Sequence, residues 1–287
     1  MINIGIIGFG FVGSSVAYGF SAQTGFDQAK LRIFDKNPAK STHALEEVLQ
    51  ESDFIFLSVP TPSNIDGSIN LSILEEVLGE INDHGTKKGC VVLVRSTVVP
   101  GTTRAFQEKY KNITLVFNPE FLTERSAKFD FINQARFILG GERKDTNKVA
   151  TLFNVRFGNS TPTIQTNFET AEFIKYMNNC YFATKVSFMN EMKLIADQSG
   201  VDWSTAVDGF VRDGRVGHSH LAVPGPDGKC GFGGSCFPKD LQAMMSHARS
   251  NGVEPSVLAG AWKTNLNVRP ERDWEKLLGR AIIKEES

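Results

Sequence analysis

One cysteine is set apart by its neighbours. Cys236 lies in the run Gly231-Phe232-Gly233-Gly234-Ser235-Cys236-Phe237-Pro238-Lys239-Asp240, and a stretch with helical spacing follows. Glycines let backbone amides come close to a ligand, and Pro238 suits the first turn of a helix. Cys236 is therefore expected beside a helix N-terminus, where the dipole favours a nucleophilic thiolate. Cys90, Cys180, Cys230 and Cys236 show no CxxC spacing and no disulfide framework. Lys175 and Asn179 stand i and i+4 apart in a stretch free of Gly and Pro, so they share a helix face. That spacing alone equally describes a pair of exposed polar residues. His218 and His220 have no third ligand near them in sequence, so the pair reads as a solvated loop and no metal is expected.

A second chemical feature opens the chain. Gly8-Phe9-Gly10-Phe11-Val12-Gly13 follows the apolar run Ile2–Ile7 and precedes a helical stretch, Ser14–Phe20. The glycines serve a tight turn, close approach of backbone to a pyrophosphate, and close helix–strand packing. The pyrophosphate itself would rest on the helix N-terminus. A second strand, Leu31–Phe34, ends in Asp35, 22 residues past Gly13. An acid there accepts hydrogen bonds from ribose hydroxyls and repels a 2′-phosphate, which favours NAD over NADP; Lys36 and Lys40 act the other way.

Elements must hold these residues. Further strands are expected at Phe54–Val59, Cys90–Arg95, Thr114–Phe117 and Arg136–Leu139, with helices between them such as Leu71–Ile81. The alternation defines an α/β, Rossmann-like doubly wound parallel sheet, expected over residues 1–166. Ligands in such sheets bind beyond the strands' carboxyl ends. Those ends carry Pro60-Thr61-Pro62, Ser96-Thr97 and Asn118-Pro119-Glu120. Residues 167–287 read as an all-helical domain. It starts with one long helix from Phe168 to about Ser199, whose stripe of Ile174, Met177, Tyr181, Phe188, Met192 and Ile195 suits a core or a dimer interface. A second helix covers about Asp202–Arg212. Between Asp213 and Asp240 the chain then carries seven glycines.

Composition narrows the classes. Thirty-one basic residues nearly balance 32 acidic ones without a basic run, which leaves no footprint for nucleic acid. No stretch approaches the roughly 20 apolar residues of a membrane helix. The N-terminus lacks the basic start and cleavage site of a signal peptide, so a cytoplasmic protein is expected.

With these motifs in view, the sequence resembles the UDP-glucose/GDP-mannose dehydrogenase family over roughly residues 1–270. Gly231–Asp240 is similar to the family signature. Thr61-Pro62, Ser96-Thr97-Val98, Asn118-Pro119-Glu120-Phe121-Leu122 with Glu124, Lys175-Tyr176-Met177-Asn178-Asn179 and Asp213-Gly214-Arg215-Val216-Gly217 follow the family's order. The resemblance implies oxidation of a sugar C6 alcohol to a carboxylate with two NAD+, UDP-glucose to UDP-glucuronate first among the candidates, and a place in polysaccharide biosynthesis. Cys236 would capture the aldehyde as a thiohemiacetal that becomes a thioester. Lys175 would stabilise negative charge on the C6 oxygen, Asp240 and Thr97 would hold a water, and Glu120 would act as hydrolytic base. Gly8 to Gly13, Asp35, Lys40, Val59, Thr61, Pro62, Ser96, Thr97, Glu124 and Lys239 would line the cofactor. Glu120, Phe121, Leu122, Thr123, Glu124, Lys175, Asn179, Gly231, Phe232 and Gly233 would line the substrate. Arg215 would reach the substrate phosphates of a partner subunit, in a homodimer built on the long helix.

Departures accompany the resemblance. Only 26 positions separate Asp35 from Thr61, where family members usually carry an additional helical segment. Pro226–Cys230 is additional length in the glycine loop. The family normally continues, after a connecting helix like Glu254–Leu278, into a third domain that covers the nucleotide; this sequence stops at Ser287. Two other readings stand beside the first: a two-electron hydroxyacid-type NAD dehydrogenase using Lys175 without covalent catalysis, and a non-catalytic binding protein that retains the fold.

Overall fold

A computed structural model describes residues 1–283. From the start strands and helices alternate: β1 (Ile2–Ile7), α1 (Phe11–Gly19), β2 (Ala29–Phe34), α2 (Leu45–Glu51), β3 (Phe54–Leu57) and α3 (Ser72–His84). β4 (Val91–Val94), α4 (Thr102–Lys109), β5 (Leu115–Phe117), α5 (Ala127–Ile132), β6 (Phe137–Gly140), α6 (Arg143–Phe157) and β7 (Thr163–Thr166) continue the pattern. The seven strands form one Rossmann-like sheet in the order β2-β1-β3-β4-β5-β6-β7.

Central strands are apolar on both sides because both faces are covered. Val91 and Leu93 of β4 pack with Val16, Phe20, Phe131 and Phe153 on one side. On the other, Val92 and Val94 pack with Leu74, Leu78 and Phe106. The chain runs from β1 out to β2 and then returns to β3 on the far side of β1. This reversal is where an open α/β sheet leaves a crevice at its strand ends.

Several details differ from the sequence-based expectations. β5 and β6 pair antiparallel, Phe117 against Gly140, so the sheet is mostly rather than wholly parallel. β7 has a single large apolar residue, Ile164, and no pattern that announces it. α1 begins at Phe11, inside the glycine run, rather than at Ser14. β3 stops at Leu57: the Val59 N–H turns to the Ser96 hydroxyl, and Pro60 has no N–H to offer.

The remaining helices are α7 (Phe168–Gln198), α8 (Trp203–Val211), α9 (Phe237–Ser250) and α10 (Ser256–Val268). A continuous helix over Glu254–Leu278 does not form. Arg269 precedes Pro270, which disfavours helical backbone, and only a 3-10 turn at Asp273–Lys276 follows.

By its contacts the chain forms two compact units. Unit 1 comprises Met1–Thr61 and Leu71–Lys175; unit 2 comprises Pro62–Asn70 and the chain from Tyr176 onward. The division falls within α7 rather than at 166/167, because Phe168 and Ala171 are buried in the core of the sheet. Unit 2 is not purely helical. Ser63 bridges to Ile69 and Ile282, its N–H donating to Ala281 O at 2.9 Å and its carbonyl accepting from Ile283 N–H at 2.9 Å. Among the described residues no helix is long and apolar enough to cross a membrane.

Candidate active site

In unit 1 the turn after β1 is held in a form only glycine accepts. Gly8 has φ of +89°, and a Cβ there would press into the Ser58 carbonyl oxygen. A Cβ on Gly13 would collide with the Gly8 carbonyl, whereas one on Gly10 would meet nothing within 4 Å. Gly10 is the N-cap of α1 and no side chain caps that end. The helix N-terminus thus has free approach for an anion. Asp35, at the end of β2, accepts the Phe9 N–H at 2.6 Å and the Asn37 N–H at 2.9 Å. Each carboxylate oxygen keeps a second lone pair, which a ribose hydroxyl can use. These residues fit a dinucleotide without a 2′-phosphate. Phe11 and Val12 form the first turn of α1, while Lys40 ends an exposed 3-10 turn.

Polar contacts fasten the ends of β3 and β4 together. The Ser96 hydroxyl accepts from Val59 N–H at 3.1 Å and donates to Val59 O at 2.6 Å. Thr61 donates to the Thr97 carbonyl at 2.8 Å. Beyond β5, Glu120 and Lys175 form a buried ion pair, only 5% and 3% exposed. The Lys175 Nζ lies 3.0 Å from Glu120 Oε1 and donates to the Glu120 carbonyl at 2.7 Å. The Leu122 N–H takes the other carboxylate oxygen at 2.6 Å. Phe121 presents its ring to Lys175 at 5.4 Å and to Arg136 at 4.3 Å. Thr123 N–H bonds Asp130 at 2.7 Å, and Glu124 is exposed. An ammonium so fixed is suited to stabilising an oxyanion, and burial strengthens the effect.

Two buried charges near this pair have no counterpart among the sequence-derived site residues. Arg95 ends β4 with its guanidinium bonded to Asn118 and stacked on Phe56 and Phe131; burial lowers its pKa to about 10. Glu172, fully buried, caps α4 by accepting Gly101 N–H at 2.6 Å and Thr103 N–H at 2.7 Å. Burial pushes its pKa up to about 7, outweighing those hydrogen bonds, and Glu169 adds to the rise. The signal for Glu172 was its position three residues before Lys175, on the same helix face.

Unit 2 holds the cysteine. Cys236 is the N-cap of α9, with Pro238 in the first turn, and is partly buried. Asp240, in that same turn, is 1% exposed. One of its oxygens accepts Asn179 Nδ2 at 2.6 Å; the other pairs with the Lys239 ammonium. Lys239 thus meets Asp240 within this unit. The glycine loop is held from beneath: Gly231 N–H donates to Asn190 Oδ1 at 3.0 Å and Phe232 N–H to Asn265 Oδ1 at 2.7 Å. Pro62 accepts Asn70 N–H at 2.8 Å. Arg215 is exposed and pairs with Asp213. The His220 ring stacks on Phe182 at 4.1 Å, a contact the HxH spacing did not suggest. Cys90 and Cys180 are buried, and burial pushes the Cys90 thiol up to about 12.

The Rossmann-like sheet with its glycine turn, followed by a helical unit, defines a class of α/β folds. Comparison places the chain within it. The UDP-glucose/GDP-mannose dehydrogenase family models match here, the NAD binding domain over residues 30–155 and the central domain over 169–267. The chain belongs to this family. It is 31% identical over 248 residues to a UDP-glucose 6-dehydrogenase of Rickettsia bellii, covering 85% of this chain and 56% of that one. To the UDP-glucose 6-dehydrogenase AglM of Haloferax volcanii it is 30% identical over 312 residues, 94% and 71% of the respective chains. A solved UDP-glucose dehydrogenase from Pyrobaculum islandicum superposes with a TM-score of 0.80 at 27% identity, over 97% of this chain and 70% of that one. The chain therefore spans little more than half the length of the Rickettsia relative.

The Asp35 geometry gives a cofactor preference. The dissociation constant for NAD+ should lie below that for NADP+ by at least about tenfold, or ~1.4 kcal/mol. Equal affinities in a fluorescence titration would mean that Lys36 or Lys40 offsets the carboxylate.

Glu172 gives a pH dependence. Its pKa is raised on folding from 4.5 to about 7, so its contribution to stability is full below 4.5 and is lost as pH rises through about 7. Glu172→Gln stays neutral throughout. Between pH 4.5 and 8 the unfolding free energy of wild type should fall relative to the variant by up to about 3 kcal/mol, for a shift of ~2.5 units. A wild-type-minus-variant difference independent of pH, measured by urea titration, would refute the assignment.

Proposed function

We propose that this protein is an NAD-dependent nucleotide-sugar 6-dehydrogenase, with UDP-glucose to UDP-glucuronate as its first candidate reaction. The reading is carried by one observation. A cysteine caps a helix whose first turn also holds a buried carboxylate, within the Gly231–Asp240 segment of the family's central domain. The names of the Rickettsia and Haloferax relatives support the substrate.

Bound NAD+ supplies the hydride acceptor, once in each of two rounds. In the first, the C6 alcohol loses a proton and a hydride to become an aldehyde. Cys236 sulfur then adds to the aldehyde carbon, giving a thiohemiacetal that cannot diffuse away between cofactor exchanges. Loss of a second hydride from C6 and a proton from its oxygen leaves a thioester. Water attacks this carbon, the C–S bond breaks, and carboxylate and free thiol remain. One alcohol, one water and two NAD+ thus yield one carboxylate, two NADH and three protons.

Lys175 is assigned to the negative charge on the C6 oxygen. Thr97 and Asp240 hold the water, and Glu120, once its pairing with Lys175 loosens, is the hydrolytic base. Asn179 and the Gly231–Gly233 backbone hold the sugar. A reducing cytoplasm suits four cysteines that form no disulfide among the described residues.

Incubation with NAD+ and a panel of UDP- and GDP-sugars tests the reading. Two NADH per sugar consumed is the expected stoichiometry; one would indicate a two-electron dehydrogenase, and none a binding protein. Cys236→Ser should abolish release of the acid while NAD+ binding persists, so near-wild-type acid formation by that variant would overturn the nucleophile.

We propose further that the protein is a homodimer built on α7. Phe173, Met177, Tyr181, Phe188, Met192 and Ile195 leave much of their apolar surface exposed along this helix, which supports burial against a second copy. Arg215 would then serve the partner's substrate phosphates. Mixing inactive Arg215→Ala with inactive Cys236→Ala chains should restore activity, to about a quarter of the wild-type pockets at equal amounts with random two-fold pairing. No recovery from proven heterodimers would place Arg215 outside the partner's site.

A further inference from the structure

We infer that Arg269 is a positioning residue for the cysteine loop: it clamps the Pro226–Cys230 turn and the chain after α10 around one buried cation and so fixes the backbone of Gly231–Gly234. The inference rests on the reading of Cys236 as nucleophile only for its effect on turnover; the clamp itself stands on geometry.

The turn closes on itself. Gly225 N–H donates to Lys229 O at 2.7 Å, Gly228 N–H to Gly225 O at 2.9 Å, and Lys229 N–H to Asp227 Oδ1 at 3.1 Å. The other Asp227 oxygen meets Arg269 Nη2 at 2.7 Å. Arg269 Nε donates to Asp273 Oδ1 at 2.6 Å, and its Nη1 to the Cys230 carbonyl at 3.2 Å. All three nitrogens of a side chain 2% exposed are therefore used. A second ion pair, Lys229 with Glu271 at 3.2 Å, ties the same two segments at the surface.

The clamp reaches the glycine loop along separate routes. Cys230, whose carbonyl Arg269 holds, is the residue before Gly231. Asp273 Oδ2 accepts Gly234 N–H at 3.4 Å, two residues ahead of Cys236. A Cβ on Gly233 would come within 2.5 Å of Arg269 Nη2, so the loop backbone lies directly on the guanidinium. Asn265, one turn earlier on α10, holds Phe232 by both N–H and carbonyl, at 2.7 and 3.0 Å. The chain at and just beyond the end of α10 thus grips Cys230, Phe232 and Gly234, while Gly231 is held by Asn190 of α7.

Charge explains why the grip needs arginine. Asp227 and Asp273 are pushed up by partial burial, yet their hydrogen bonds from Arg269 hold both below the ordinary carboxylate range. Removing the guanidinium leaves two carboxylates facing one another with no cation between them. Lysine restores the charge as a single point and cannot span Asp227, Cys230 and Asp273 together.

Hydrogen exchange and steady-state kinetics on the full chain test this. In Arg269→Ala, peptides covering Gly231–Cys236 should exchange at least about tenfold faster while those of β1 to β5 keep their wild-type rates. The KM for the nucleotide sugar found in the panel above should rise about tenfold or more, with KM for NAD+ within about twofold. Arg269→Lys should recover only part of the loss. Should Arg269→Ala fail to fold, Asp227→Asn removes one arm of the clamp and should show the same pattern in reduced measure. Wild-type exchange at Gly231–Cys236 in a folded variant would overturn the clamp, as would equal rises in both KM values. If wild type oxidises no sugar in the panel, the proposed function fails, and the exchange arm still decides the role of Arg269.

Discussion

Along α7, Glu172, Lys175, Asn179 and Asn190 follow one another on one face, and each is buried. A buried polar group without a partner costs about 1–3 kcal/mol, and a buried charge costs more. Each of these side chains therefore demands a partner, and each finds it in a different segment. Glu172 takes the amides that open α4. Lys175 takes Glu120, Asn179 takes Asp240, and Asn190 takes Gly231. Within unit 1 the first part of α7 thus holds the start of α4 and Glu120, and within unit 2 its later part holds Asp240 and the glycine loop.

The opposite face of the same helix carries a second apolar stripe. Phe173, Met177, Tyr181, Phe188, Met192 and Ile195 fall about half a turn from the polar stripe and are exposed. An ordinary surface helix turns its apolar stripe to the core. Here Phe168, Ala171, Tyr176, Ala183 and Met189 are buried beside the polar groups, and a second set of apolar residues faces outward. An exposed apolar stripe of this kind marks an interaction surface, which is the physical content of the proposed dimer.

How much of this was legible depended on whether a residue's partner was close in sequence. The turn at Gly8–Gly13 and the acid at Asp35 follow from local backbone needs and a fixed βαβ spacing, and both stand where the pattern put them. Cys236 at the N-cap followed from Pro238 two residues on. Lys175 and Asn179 could be placed on one face but not given partners, because Glu120 lies 55 positions from Lys175 and Asp240 lies 61 from Asn179. The same distance in sequence hid Glu172, Asn265 and Arg269. β7 was missed because Thr163-Ile164-Gln165-Thr166 has too little apolar content to show a period. The antiparallel β5–β6 pair was missed since a strand's pattern carries no information about its direction.

Glycine-rich loops cannot hold themselves. Gly231 and Gly234 adopt φ of +65° and +71°, conformations that other residues enter only with strain. The freedom that permits this geometry also makes it costly to fix, by about 1–2 kcal/mol of backbone entropy per residue. Side chains must offset that cost, and they come from regular elements outside the loop: Asn190 from α7, Asn265 from α10, and Asp273 and Arg269 from the chain at and beyond the end of α10. Each hydrogen bond contributes about 1 kcal/mol net, more where a charge takes part. Five such hydrogen bonds, on Cys230, Gly231, Phe232 and Gly234, offset much of that cost. From Gly234 only Ser235 intervenes before Cys236, where α9 takes over the geometry. On the proposed function, the thiol is thus positioned by residues that need never touch a substrate.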